Sequence, residues 1–146
     1  MRPNAWKAVF GGFLGTTAMT VIMLALQPME LATVPGGSGG WWPALLIHLI
    51  NGSLVFPLIY ALLVYPFLPG RPWLRGAIWG VTLWFVAQVA IMPLLGAGFS
   101  SMNEGGLTAV TASLFGHLVY GTLLGAVAGP TWERAGRTPQ ARSMAA

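Results

Sequence analysis

Four long runs of apolar residues, each free of charge, are separated by short stretches rich in glycine, proline and polar side chains. The runs cover Ala8–Leu26, Ala44–Tyr65, Gly76–Leu95 and Leu107–Ala128. Uncharged runs of roughly 20 residues predict membrane-spanning helices. The breaks "QPMELATVPGGSGG", "PFLPGRPWLR" and "GAGFSSMNEGG" are built from turn formers. Trp41, Trp42 and Pro43 lead into the second run, with tryptophans typical of a membrane interface. Gly129 and Pro130 stop the fourth, and residues 131–146 form a polar tail expected to be disordered. The predicted fold is an all-α membrane protein of four transmembrane helices within residues 1–130.

Composition strengthens this reading. Charged residues make up 7% of the 146 and hydrophobic ones 55%. A water-soluble domain carries about 25% charged residues, so this chain has too few to cover a hydrated surface. The length fits one domain. Without cysteine there is no disulfide, thiolate metal site, iron–sulfur cluster or covalently attached haem.

The net charge of +4 does not point to nucleic acid, because the basic residues cluster at the ends of the runs. Arg2 and Lys7 precede the first; Arg71 and Arg75 lie between the second and third; Arg134, Arg137 and Arg142 follow the fourth. The other two loops carry only Glu30 and Glu104. By the positive-inside rule both termini are expected in the cytoplasm and the acidic loops outside. The first run, Ala8–Leu26, is longer than the 7–15 residues or so of a signal-peptide core, and no small-residue cleavage site follows closely. It is expected to remain as a span.

The chain also resembles itself. Gly11, Gly15 and Thr17 align with Gly76, Gly80 and Thr82, while "HLINGSL" at 48–54 aligns with "HLVYGTL" at 117–123. This predicts a two-helix hairpin used twice in the same sense, about a pseudo-two-fold axis along the membrane normal. Glycines recur at four-residue spacing in Gly11/Gly15, Gly76/Gly80 and Gly121/Gly125/Gly129. In lipid, small-residue faces of this kind let helix backbones approach closely. Pro57 and Pro93 each free a backbone carbonyl and are expected to kink their helices.

His48, Asn51 and Gly52 share one helical face, and His117, Tyr120 and Gly121 repeat that arrangement. Polar groups facing lipid are costly, so both stripes are expected to face the interior, with Gln88 as a further interior polar residue. The sharper reading makes His48 and His117 axial ligands of a haem b, with Gly52 and Gly121 clearing space for it. Depth opposes it. His48 stands 19 residues before Phe67 and His117 only 12 before Gly129, an offset of roughly 10 Å at helical rise. The simpler reading is a pair of packing motifs whose histidines bond to neighbours such as Tyr120, Asn51 or Gln88. A copper or zinc site gathering Glu30, Glu104, Met29, Met102 and the histidines has scattered ligands and is the weaker alternative. No metal site and no catalytic residues are expected; no serine–histidine–carboxylate set or phosphate loop stands out, so the chain is not expected to be an enzyme.

From about Ala44 to Gly129 the chain resembles an uncharacterised bacterial family of small four-span membrane proteins. The pieces that carry the likeness are His48, "LPG" at 68–70, "MPLLGAGF" at 92–99 and "HLVYGTLLGAVAG" at 117–129. The resemblance implies four-helix topology and no assigned activity. It draws attention to Met92, Pro93, Gly96, Gly98, His117, Tyr120 and Gly121. The functional expectation is a non-catalytic inner-membrane protein, acting as an accessory or assembly subunit beside a larger membrane partner, or as a homo-oligomer. A haem b electron carrier is the alternative. A small transporter or channel is the second, against which stands the lack of charge within any span.

Overall fold

A computed structural model describes residues 3–26, 41–94, 98–99 and 106–129, without the side chains of residues 41, 42 and 44. The acidic loops with Met29, Glu30, Met102 and Glu104, Gly96, and the tail after Gly129 lie outside the described residues. All regular structure among the described residues is helical. Four helices are long and apolar enough to cross a membrane: α1 (Ala5–Leu26), α2 (Leu45–Phe67), α3 (Pro72–Leu94) and α4 (Gly106–Ala128). At 22 or 23 residues each, they extend about 33–35 Å, enough for a hydrocarbon core of about 30 Å.

α1 starts three residues and α3 four residues before the apolar runs, and local chemistry explains both cases. Asn4 caps α1, its Oδ1 accepting the N–H groups of Trp6 (2.9 Å) and Lys7 (3.3 Å). Lys7 therefore sits in the first turn, where its stem can lie along apolar surface and its amine can reach water. In α3, extended Arg71 caps the helix and Pro72 opens it, a position where a missing N–H costs nothing. Arg75 then folds back over the α2–α3 turn. Its Nε donates to Gly70 O (2.9 Å), its Nη1 to Tyr65 O (3.4 Å), and the guanidinium lies 4.6 Å above the Tyr65 ring. Gly70 has φ +90°, the left-handed backbone that favours glycine.

The order around the bundle follows from who touches whom. α4 packs along both α1 and α3, and α1 also packs on α2. α2 and α3 meet through aromatic side chains near the basic end. Tyr60, fully buried, stacks on Trp79 at 6.4 Å and meets Tyr65 edge-on at 5.5 Å. Helices α2 and α4 therefore stand diagonally.

Glycine governs the tightest seams. A Cβ on Gly76 would fall on Gly121 O, and one on Gly80 would fall on His117 O, so α3 and α4 touch backbone to backbone. Across the α1–α4 seam, a Cβ on Gly11 would lie 3.0 Å from Val127 Cβ and one on Gly15 would lie 2.8 Å from Tyr120 O. A strict pseudo-two-fold would send the aligned pairs Gly11/Gly15 and Gly76/Gly80 to different helices. Both face α4 instead.

Pro57 and Pro93 each sit just beyond a π-helical stretch. Asn51–Val55 precedes Pro57, and Ala87–Ile91 precedes Pro93. In each, the residue before the proline bonds five residues back, Phe56 N–H to Asn51 O and Met92 N–H to Ala87 O. Proline supplies no N–H to continue the ladder. The widened turn absorbs its ring without ending the helix.

A candidate two-histidine site in the bundle interior

The next carbonyl in the α2 ladder after Asn51 is that of Gly52, and its five-residue partner would be the nitrogen of Pro57. Gly52 O is thus left without a helical donor. Tyr120 supplies one. Its hydroxyl crosses the bundle from α4 and donates to Gly52 O at 2.9 Å. The tyrosine is buried, at 3% exposure, so the bond forms where water cannot substitute. A Cβ on Gly52 would fall on Thr16 Oγ1. α1 thereby closes one side of this crossing.

The same contacts fix the depth of the histidines. Gly15 lies against Tyr120, and its neighbour Thr16 lies against Gly52. Tyr120 and Gly52 therefore share a level along the bundle, within about one helical rise of 1.5 Å. His117 stands three residues before Tyr120 and His48 four before Gly52, both toward the end away from Lys7, Arg71 and Arg75. The imidazoles thus stand about one turn beyond the shared level. The offset of roughly 10 Å obtained by counting from helix ends does not exist in the fold. α2 runs on to Phe67, fifteen residues past Gly52, whereas α4 stops at Ala128, eight past Tyr120. The basic ends of the two helices are simply not aligned.

The two rings are held differently. His117 Nδ1 donates to Ser113 O, one turn back, at 2.8 Å. In the neutral ring this places the proton on Nδ1 and leaves the Nε2 lone pair as an acceptor or ligand. Ser113 Oγ lies 3.5 Å from the same Nδ1 and accepts from Gln88 Nε2 at 3.5 Å. Gln88, 2% exposed, ties α3 into this corner. His48 buries its Nε2 with no hydrogen-bond partner. A polar atom so placed costs about 1–3 kcal/mol. Thr16 Oγ1 and Trp79 Nε1 are likewise buried and unpartnered. Asn51 is half-buried and opens the π-helical stretch, and Gly121 packs against Gly76 O and Gly80.

Of the residues singled out in the sequence, Gly52, Tyr120 and Gln88 are buried in the interior, and His48 and His117 stand half-buried beside them. The bonds predicted for the histidines do not form as expected: His48 Nε2 has no partner. His117 uses Ser113, and Tyr120 spends its hydroxyl on Gly52 O. Ser113 and Thr16 were not singled out. The spacing of Ser113, one turn before His117, was the available signal. Among the described residues no three histidine or acidic side chains converge on one point.

A family model, described as a family of unknown function (DUF6789), matches residues 3–138. The chain belongs to this family. The match takes in all four helices, both histidines and the Gly52–Tyr120 pair of this DUF6789 protein. No curated protein and no solved structure matches the chain.

Proposed function

We propose that this DUF6789 protein is a small non-catalytic subunit of a larger complex in a bacterial inner membrane, docked there through α3. The observation that carries this reading is a shallow groove of about 520 Å³ on the outer side of α3, where it meets α4. Leu74, Ala77, Ile78, Val81 and Phe85 line it from α3 and Leu118 from α4. An apolar surface alone says nothing inside a bilayer, since lipid tails are equally apolar. A concave one is different, because helix association in lipid rests on close van der Waals fit.

α3 is also the helix with the smallest buried share, 17% of an 18-residue stretch against 33% for α4. The occupant best suited to such a groove is a transmembrane helix of a larger protein. The basic residues at one end support a cytoplasmic location for that end and for both termini.

Filling the groove tests the proposal. The wild-type chain, purified in mild detergent from its own cells, should retain a stoichiometric larger membrane protein, and a photo-crosslinker at Val81 should link to it. Ala77→Trp should lose that protein, while Ala90→Trp, on a different exposed face of α3, should keep it. A wild type that purifies alone or only with copies of itself refutes the reading.

A further inference from the structure

We infer that His48 and His117 form a two-imidazole site for a monovalent soft metal ion, copper(I). Three features of the bundle lead there, none of them dependent on the docking role. The first is geometry. The rings come from diagonal helices, at one depth and about one turn beyond the Tyr120–Gly52 bond. That bond is a fixed floor beneath them.

The second is the state of the nitrogens. Ser113 O holds the His117 Nδ1 proton, directing the Nε2 lone pair outward from its own helix. A hydrogen bond of this kind on the far nitrogen is the usual support of a metal-ligating imidazole. On the diagonal helix, His48 has a buried Nε2 that nothing in the protein satisfies. One ion between the two would satisfy both.

The third is charge. Two neutral imidazoles bring none, and no acidic side chain occurs in any of the four helices. A divalent ion would place two uncompensated charges in the hydrocarbon region, which is strongly disfavoured. A copper(I) ion brings one, accepts imidazole and favours soft donors. A soft donor is at hand. The Met19 thioether sulfur lies 3.9 Å from the Cβ position of Gly116, the residue preceding His117. Met19 also falls between the α4-facing Gly15 and the α2-facing Thr16 around α1, on the interior arc.

The same packing favours an ion over a porphyrin. Beside His117, α4 touches α3 at Gly80 and α1 at Met19 and Gly116. A flat macrocycle would need α4 clear of one of them at this level.

The test is a competition for copper(I) under reducing, oxygen-free conditions, using the full chain in detergent and a chromophoric copper(I) chelator. Wild-type protein should withdraw one equivalent. His48→Phe and His117→Phe should each weaken binding at least 100-fold, and Met19→Leu, which keeps the volume, by about tenfold. Zinc(II) at equal concentration should not displace the copper. X-ray absorption of the loaded wild type, which needs no variant to fold, should show two imidazole nitrogens. No withdrawal of copper, binding unchanged in the histidine variants, or displacement by zinc would overturn the inference. So would a Soret band in protein from haem-replete cells, since haem would then hold the same nitrogens.

Discussion

Replacing Gly76 by alanine should cost the bundle about 3 kcal/mol, and replacing it by valine should prevent stable assembly. The reason is the identity of what the new atom meets. A Cβ at Gly76 lands on Gly121 O and against the backbone of Gly125. No rotamer change can clear a backbone, so α3 must move off α4 along the whole seam, which Gly80, Gly121 and Gly125 share. With total stabilities of about 5–15 kcal/mol, one such displacement consumes a large part of the margin.

Gly116 is the control. Its Cβ would meet Met19 Cγ at 3.1 Å, part of a flexible side chain. There the intrinsic helix preference of alanine, about 1 kcal/mol over glycine, should roughly offset the crowding. Unfolding in detergent mixtures, followed by tryptophan fluorescence, separates the cases. Equal midpoints for Gly76→Ala and Gly116→Ala would show that the α3–α4 seam is not rigid.

The four helices were legible because the bilayer imposes one simple rule, a sufficiently long run without charge. Where that rule erred, by three residues at α1 and four at α3, it stopped at the first charged side chain, while the helix continued through Lys7 and Arg75 to a cap beyond. The seam was legible in part. Gly76, Gly80, Gly121 and Gly125 stand at four-residue spacing, and through them α3 and α4 touch. That Gly11 and Gly15 also turn to α4 could not be read from the repeat.

Register between diagonal helices was the least legible property. It depends on where each helix ends in space, and the ends of α2 and α4 differ by about two turns relative to the Gly52–Tyr120 level. Counting residues from the ends therefore separated two histidines that the fold places side by side in depth. Pro57 did announce a freed carbonyl. Its donor lay 68 residues away, on a helix that no local pattern connects to it.

That long-range bond yields the second large effect. Tyr120→Phe should destabilise the protein by about 1–2 kcal/mol, the cost of a buried carbonyl left without a donor in a membrane interior. The ring would still fill its place beside Gly15, so packing changes little. The dependence on Pro57 distinguishes this account from a general intolerance of change at Tyr120. In a Pro57→Ala background the alanine supplies the missing N–H. Gly52 O then regains a helical partner whether the turn stays π-helical or tightens to an α-turn. Tyr120→Phe should there cost less than about 0.5 kcal/mol, giving a coupling energy of about 1 kcal/mol in the double-mutant cycle. Pro57→Ala alone will carry its own penalty, since the ring packs against Gly12, but the cycle cancels that contribution. An equal loss from Tyr120→Phe in both backgrounds would mean that the hydroxyl does not serve the carbonyl freed by proline. The level from which both histidines are measured would then lose its physical cause.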